Sequence, residues 1–467
     1  MKKIYYITLG VISSLIFTSC SGFLDKEPST ELSDDGAITS VSDLQNAVNG
    51  VGYILVGQRM TYTSEYQIYG DLLTNDFTII DDYGQSSPIT QYTLTKNDEL
   101  PDDAYKYYYQ ALASTNKAIK GMSNIEVTSD NKSTVDNLHG ELLAWRGLLH
   151  FDLARMFCHI PTAVSDLDKA NSGLVLSDTV YEPTFKGTRS TLKETYNYII
   201  KNFTDALSLL SKDKNTGYIN YYAALALRAR AYLYMGDYSK ALADANEVIN
   251  SGEYKLYTID NYASAWDKEG TDESIFEILT TDAYNADRYS TGYYTDASGY
   301  PECALDTTSA LFKYLEGNTS DVRSSMIKDQ TDTDEPGYYP AKYPGRNGSI
   351  YVNNPKIIRL SEVYLIAAEA SYYVSGGAAA ASYINAIDEK RITGYTDVAS
   401  VTIDDILFEY EKEMFAENQI AFAYWRNKKS VTNFLGDVIN YDNDRTVLPI
   451  PQREIDYNSA IIQNAGY

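Results

Sequence analysis

The chain has 467 residues and a formal net charge of −25 at pH 7, from 64 acidic and 39 basic side chains. A surface this acidic repels phosphate backbones, so the composition argues against a nucleic-acid partner and favours neutral ligands. Three cysteines are too few for a disulfide scaffold, whereas tyrosine supplies 44 residues and offers flat apolar faces with a hydrogen-bonding hydroxyl.

Residues 1–19 have the layout of an export signal. Two lysines precede a short apolar run, residues 4–17, and the small residues Thr18 and Ser19 follow it. The run is shorter than the roughly 20 residues that a membrane-spanning helix needs. Because a cysteine comes next, the segment resembles a bacterial lipoprotein signal, in which the thiol of Cys20 is acylated and becomes the mature N-terminus. The alternative is an ordinary secretion signal with an incidental cysteine.

The first half of the body is predicted to be helical, because apolar residues recur there at intervals of three and four. The predicted helical segments are 104–122, 135–157, 191–210 and 220–257. Thr191 and Glu194 have the spacing of a capping box, which marks the start of the third segment.

The last of these segments resembles the tetratricopeptide pattern. A Gly236-Asp237 turn separates two helices within 220–257, and small residues allow the pair to pack closely. We assign Tyr232 to the core of this repeat. A weaker copy occupies 360–388. One helix pair cannot bury its own apolar face, so such pairs are expected to stack into a right-handed superhelix.

Four long stretches lack a helical period: 76–100, 160–190, 258–304 and 329–357. Loops of this length are usually functional or disordered. These stretches are rich in tyrosine and rarely dense in proline, so we predict ordered loops.

Several segments together resemble the SusD/RagB family of surface lipoproteins, which work with TonB-dependent outer-membrane transporters in glycan uptake. The segments are CSGFLDKEP (20–28), GELLAWRGLLHFDLARMFCHIPTA (140–163), LSEVYLIAAEA (360–370) and LPIPQREIDYNSAIIQNAGY (448–467). The resemblance covers nearly the whole mature chain. FEYEKEMFAENQIAFAYWRNKK departs from the family pattern at Glu411-Lys412 and at 417–420, which puts in question a charge network shared by that helix.

The resemblance implies an all-α fold, in which tetratricopeptide-like helix pairs form a scaffold and long irregular loops form the ligand surface. It implies an N-terminal region 20–257 and a C-terminal SusD/RagB region 258–467. It also implies a protein held at the cell outer membrane by the acylated Cys20, facing the exterior. The implied partner is a SusC-like TonB-dependent transporter, which the protein would cover as a hinged lid with its scaffold side facing the barrel.

The loop 282–302 is the first candidate for the ligand surface. Its five tyrosines follow no helical or strand period and stand among Gly, Ser, Thr, Asp and Asn: Tyr284, Tyr289, Tyr293, Tyr294 and Tyr300. Aromatic faces beside short polar groups suit a neutral sugar. We expect Gly292 to let the backbone turn the rings of Tyr293 and Tyr294 outward. The alternative is an ordered loop held together by its own tyrosines.

The loop 75–92 is the second candidate, with Asp81, Tyr83 and Tyr92 as its predicted ligand residues. The resemblance implies that family members often place a ligand aromatic in this region. The segment 337–351 is a weaker third candidate, whose Arg346 is read as a surface charge.

We predict no catalytic residue, no metal site and no cofactor. His139 and His150 would lie roughly 16 Å apart along one helix, too far to share a metal ion. The sequence contains no P-loop, G-x-G-x-x-G or H-E-x-x-H pattern. A glycoside hydrolase needs only two suitably spaced carboxylates, so that alternative stays open. A peptide-binding member of the same family also stays open. A pure protein-interaction scaffold would explain neither the lipid signal nor the tyrosine loops.

Overall fold

The computed structural model describes residues 38–467. The predicted signal segment and the predicted lipid attachment at Cys20 lie outside the described residues.

Helices dominate the described chain, as predicted for an all-α fold. In chain order the helices are α1 Val41–Ile54, α2 Tyr69–Leu72, α3 Ser87–Thr90, α4 Glu99–Gly121, α5 Lys132–Phe157, α6 Leu192–Leu207, α7 Tyr221–Met235, α8 Tyr238–Ser251, α9 Thr291–Tyr294, α10 Ala310–Gly317, α11 Leu360–Ser375, α12 Gly377–Arg391, α13 Ile403–Met414, α14 Ile420–Arg426 and α15 Gln452–Tyr457.

The strands of the described residues are short and occur as four separate antiparallel pairs: β1 with β3, β2 with β6, β4 with β5 and β7 with β8. Their bounds are β1 Phe77–Thr78, β2 Ser274–Glu277, β3 Ala304–Leu305, β4 Ile327–Asp329, β5 Tyr338–Pro340, β6 Lys356–Arg359, β7 Val431–Thr432 and β8 Val438–Ile439.

Local signals set the helix ends where the sequence predicted them. The Thr191 hydroxyl accepts from the backbone N–H of Glu194, and the Glu194 carboxylate accepts from that of Thr191, which confirms the predicted capping box. Gly236 ends α7 with a φ of 75°, a left-handed conformation that glycine adopts at little cost.

The helices stack in sequence, so the two predicted helix pairs become neighbours. The helices α5, α6, α7 and α8 pack in succession, each on the one before it. Helix α8 then packs against α11, and α11 packs against α12. Between the two pairs the rings of Tyr238 and Tyr373 stack with centroids 4.3 Å apart. Arg230 donates two hydrogen bonds, of 2.7 and 2.6 Å, to the buried carboxylate of Glu362. Charge and aromatic contacts therefore join the repeats across more than 100 residues of chain.

Many of the tyrosine side chains are packed in the hydrophobic core. Tyr62, Tyr66 and Tyr108 are buried and meet edge to face, with ring centroids 5.6–5.8 Å apart. Tyr234 is fully buried in α7. Tyr232, which the repeat pattern assigned to the core, is only half-buried and packs at the edge of the core. The Nζ of Lys240 lies 5.2 Å from the centroid of its ring. Leu225 and Ala229 of the same helix are fully buried, so Tyr232 lies at the margin of the core rather than inside it.

The main hydrophobic core runs through both predicted regions, with Leu44 and Leu448 in the same cluster. The division at 257 and 258 stays a prediction. Cys158 and Cys303 are free and buried, as small apolar side chains would be. Within residues 38–467, no helix combines the length and the apolarity needed to cross a membrane.

A buried charge network surrounds the end of α13, although the local sequence departs from the family pattern there. Arg359 donates to Glu413 and Glu417 at 2.7 Å, and Arg391 donates to Glu413 at 3.0 Å. All four side chains are almost completely buried. Although burial acts in the opposite direction, the two guanidinium groups hold the pKa of Glu413 well below its usual range. Two of the departing positions therefore belong to the network: Glu417 pairs with Arg359, and Lys412 pairs with Glu409.

Candidate functional site

The two loops that the sequence nominated separately form one surface. β1 pairs with β3, with Phe77 opposite Leu305, so the start of loop 75–92 runs beside the end of loop 282–302. The pairing continues past the strands, because the N–H of Ile80 donates to the carbonyl of Pro301 at 3.0 Å.

Glu302 fixes the two loops together. Its side chain is fully buried, and its carboxylate accepts from the backbone N–H groups of Tyr83, at 2.8 Å, and Gln85, at 3.1 Å. The same carboxylate accepts from the backbone N–H of Ser86 and from its hydroxyl, the latter at 2.8 Å. Hydrogen bonds to a charged acceptor are stronger than neutral ones, so one side chain orders the turn that presents the Tyr83 ring.

A group of four tyrosines, here the tyrosine platform, lies over this junction. Its members are Tyr83, Tyr293, Tyr300 and Tyr351. The Tyr300 ring lies 5.7 Å from Tyr83 and meets Tyr293 edge to face at 5.0 Å, and Tyr351 lies 5.6 Å from Tyr293. Tyr83 is 48% exposed, and the other three are half-buried. The platform therefore has an open aromatic edge supported by rings behind it.

Tyr289 adds a second exposed ring, beside an arginine that sequence reasoning missed. Tyr289 is 39% exposed, and the guanidinium of Arg59 lies 5.2 Å from its ring centroid. Arg59 also donates to the Gln85 carbonyl at 3.1 Å and to the Glu65 carboxylate at 2.7 Å. A single arginine in a polar stretch carries no pattern of its own, so only the fold reveals this link.

Tyr294 does not reach the surface, contrary to the expectation from Gly292. Its ring is fully buried, and its hydroxyl donates to the Glu65 carboxylate at 2.7 Å. Gly292 is needed for another reason: a Cβ there would lie 2.3 Å from the Ile350 carbonyl oxygen. A close approach of two backbones, not an outward turn of both rings, explains this glycine. Tyr294 is a structural residue under the platform.

Tyr92 and Tyr284 lie apart from the contacts of the platform. Tyr92 is half-buried with a φ of 55°, which is uncommon for a side chain of this size, and its hydroxyl donates to the Leu73 carbonyl at 2.6 Å. The Tyr284 ring instead stacks on Tyr53, with centroids 3.7 Å apart and an interplanar angle of 5°.

The third loop joins the site through Tyr351 rather than through Arg346. Arg346 is not a free surface charge: it pairs with Glu269 and donates to the Thr280 carbonyl at 2.8 Å and to Asn354 at 2.7 Å. These bonds tie segment 337–351 to the chain before loop 282–302. Tyr351 is the last residue of this segment, and no pattern in the sequence distinguishes it as a ligand residue.

The rim of the platform is acidic and polar. Asp81 is exposed, and the Tyr83 hydroxyl donates to Glu335 at 3.3 Å. The charge of Glu335 raises the pKa of Tyr83, which strengthens the preference of this phenol for its neutral, hydrogen-bond-donating form. Among residues 38–467, no group of three or more His, Cys, Asp or Glu side chains is arranged to hold a metal ion. The arrangement offers aromatic faces and hydrogen bonds to a neutral ligand, and it repels anions.

Two sequence profiles match the chain. One, described as starch-binding associating with outer membrane, matches residues 22–233, and one described as the SusD family matches residues 181–467. SusD-like protein P2 of Formosa agariphila is 26% identical, with both chains fully covered.

Solved structures have the same fold. A SusD superfamily protein of Bacteroides thetaiotaomicron is 30% identical with a TM-score of 0.84, covering 91% of this chain and 99% of that one. A laminarin-binding SusD-like protein is 20% identical with a TM-score of 0.71, a likeness of fold alone, and covers 91% of this chain and 99% of its own. Because the SusD profile spans more than half of the chain and the helical architecture agrees, the chain belongs to the SusD/RagB family.

Proposed function

We propose that the protein captures neutral oligosaccharides on its tyrosine platform at the outer cell surface and passes them, unmodified, to a SusC-like TonB-dependent transporter. The exposed edge of the platform carries the proposal. Sugar rings present an apolar C–H face and a rim of hydroxyls, and an aromatic ring beside polar side chains complements both. Tyr83 and Tyr289 are the rings with the most accessible faces at this site.

The charge around the platform favours a neutral glycan over an acidic one. Asp81 and Asp82 are exposed beside Tyr83, and the Glu335 carboxylate accepts a hydrogen bond from the Tyr83 hydroxyl. An anionic polysaccharide would meet these carboxylates across short distances, where like charges repel. The net charge of −25 adds a long-range repulsion of the same sign.

Anchoring and delivery are proposed from the family. Acylation of Cys20 would hold the protein at the outer membrane, and the stacked helix pairs would form the side that faces the transporter. The profile match described as associating with the outer membrane supports this placement.

A binding role without catalysis is favoured by the state of the carboxylate that joins the two loops under the platform. Glu302 is fully buried, and its carboxylate already accepts hydrogen bonds from the backbone N–H groups of Tyr83 and Gln85 and from the Ser86 hydroxyl. It is therefore poorly placed to act as a general acid or nucleophile. A peptide ligand remains the second candidate, because aromatic rings with an acidic rim also accept basic or neutral peptides.

The test is calorimetric titration with neutral hexasaccharides of the malto-, laminari-, cello-, manno- and xylo-series. Tyr83→Ala and Tyr289→Ala should each weaken binding by roughly 1 kcal/mol or more, the worth of one aromatic contact, while the melting temperature changes little. Tyr457→Ala is the matched control, because Tyr457 is 49% exposed, against 48% for Tyr83, and lies in another part of the chain. Tyr293→Ala, Tyr300→Ala and Tyr351→Ala should lower both affinity and stability, because these rings also support their neighbours.

Three results would count against the proposal. Wild-type binding by both Tyr83→Ala and Tyr289→Ala would show that the platform is structural. Binding of tryptic peptides but none of the hexasaccharides would favour the peptide candidate. New reducing ends after overnight incubation with protein free of contaminating hydrolase would favour the hydrolase alternative.

A further inference from the structure

Glu141 is a buried carboxyl group with one oxygen left unpaired. It lies on α5 with 3% of its surface exposed, and its Oε1 accepts from the Asn137 side chain at 2.9 Å. Its Oε2 has no hydrogen-bond partner among the described residues. Burial raises the pKa of Glu141 to about 8, against the smaller opposite effect of the Asn137 bond, so the group is mostly neutral at pH 7. A buried oxygen without a partner is a cost that a bound ligand could remove.

The side chain of Glu141, with its unpaired oxygen, lines an aromatic cavity of about 190 Å³. Tyr53 and Leu279 lie at its exposed edge, at 59% and 38% exposure, and Trp145 is buried in its wall. Tyr284 stacks on Tyr53 and holds that ring in place by donating from its hydroxyl to the Val56 carbonyl at 3.2 Å. The apolar walls surround a space for roughly one ring-sized group.

A second, more polar cavity of about 340 Å³ shares two of these lining residues, Glu141 and Tyr218. Ser133, Thr134 and Asn215 are among its other lining residues, and all three are exposed. The carboxyl group of Glu141 therefore lies where an aromatic space and a hydroxyl- and amide-lined space meet.

We propose that these two cavities form a second binding site, separate from the tyrosine platform, for one or two units of a neutral oligosaccharide. This inference rests on the proposed function. One sugar ring would lie against Tyr53 and Trp145, with a hydroxyl bonded to Glu141, and the next unit would extend into the polar cavity.

The polar half of the site distinguishes a sugar from a side chain of a protein partner. An inserted Leu or Phe would fill the aromatic cavity but leave the Glu141 oxygen unpaired and the polar cavity unused. A polyhydroxylated ligand uses both, because its hydroxyl groups donate and accept around an apolar face. A neutral carboxyl group also avoids the desolvation of a charge when the ligand displaces water.

Three variants test the site with the same five hexasaccharides. Tyr53→Ala removes an exposed wall, Glu141→Met keeps the volume but removes the polar group, and Glu141→Gln keeps a neutral hydrogen-bonding group. We expect Tyr53→Ala and Glu141→Met to bind the best wild-type hexasaccharide up to about tenfold more weakly, and Glu141→Gln to bind as wild type. Glu141→Met should melt close to wild type, because it removes the unpaired buried oxygen together with the acceptor of the half-buried Asn137 amide.

Tryptophan emission provides a readout at the site itself. Trp145 is one of three tryptophans, and its contribution is identified with Trp145→Phe. Hexasaccharide should change Trp145 emission at similar concentrations in wild type and in the platform variant Tyr83→Ala, whereas Tyr53→Ala should need up to about tenfold more hexasaccharide for the same change.

Each outcome decides one of the two proposals. If a hexasaccharide binds while Trp145 emission is unchanged and Tyr53→Ala binds as wild type, this second site is rejected and the platform stands. Weak binding by Glu141→Met with a lowered melting temperature, beside normal binding by Tyr53→Ala, would make Glu141 structural and reject the site as well. If none of the five binds to wild type, the proposed function is contradicted and this inference falls with it.

Discussion

The carboxylate of Glu302 accepts the backbone N–H of Tyr83 at 2.8 Å, although the two residues are 219 positions apart in the chain. This bond connects the base of one candidate ligand loop with the turn that presents the most exposed ring of the platform. Loops that are far apart in the sequence thereby form one surface. Because hydrogen bonds to the backbone hold the turn, the Tyr83 ring needs no hydrophobic contacts that would bury it.

Replacing Glu302 should therefore affect both stability and binding. In Glu302→Gln, the amide group brings donors toward the backbone donors of the turn, so at least one buried N–H loses its acceptor. We expect a loss of roughly 1–3 kcal/mol in the free energy of unfolding and a weaker affinity for the hexasaccharide that the wild type binds. Urea unfolding and calorimetry measure the two effects. Asp332→Asn, an exposed change in a neighbouring loop, is the control. A variant as stable as wild type would show that Glu302 does not order the turn.

The charge network at the end of α13 predicts a larger effect on stability. Glu413→Gln would leave Arg359 and Arg391 short of a negative partner in a fully buried place. Breaking a buried ion pair from one side typically costs roughly 3–5 kcal/mol, and we expect this range in urea unfolding. Asp168→Asn breaks the exposed pair with Lys193 and should change stability by less than about 1 kcal/mol. Equal effects of the two substitutions would contradict the assignment.

Glu141 predicts a pH dependence of stability with a definite sign. Its folded pKa of about 8 lies above the ordinary value of 4.5, so between these values the folded chain keeps a proton that the unfolded chain releases. The contribution of this group is therefore fully present below pH 4.5 and is lost as the pH rises toward 8. Glu141→Gln lacks this titration, and its stability relative to wild type should rise by roughly 3–5 kcal/mol between pH 4.5 and 8, because each unit of pKa difference is worth about 1.4 kcal/mol.

The measurement is urea unfolding of both proteins at half-unit pH steps across this window. Other groups titrate equally in the two chains, so only the difference is interpreted. A constant difference would mean that the Glu141 carboxyl group is not shifted upward.

The proposed lipid anchor at Cys20 lies outside the described residues and can be tested directly. Acylation needs the thiol, so Cys20→Ala should give a folded protein that no longer fractionates with membranes. Incorporation of labelled palmitate into wild type but not into the variant measures the modification directly. Equal labelling of both proteins would place the lipid elsewhere or remove it from the proposal.

Local sequence patterns predict the long helices of the scaffold and one of their caps, and motifs spread over the chain indicate the family. Helical period and capping depend on residues three and four apart, so α5, α6 and the Thr191–Glu194 box could be predicted from short stretches. The long tyrosine-rich loops also stood out, because they lack any period. Family motifs spread over the chain predicted the all-α fold correctly.

Which tyrosines face solvent and which carboxylates are buried depends on contacts between segments that are distant in the chain. Tyr293 and Tyr294 are adjacent and chemically identical, yet one supports the platform and the other lies in the core. The difference arises from the approach of Gly292 to Ile350 and from the bond between Tyr294 and Glu65. Such contacts join residues dozens to hundreds of positions apart, and no local pattern records them. The same is true of Glu302, which accepts from backbone N–H groups more than 200 positions away, and of the contact between Arg59 and Tyr289.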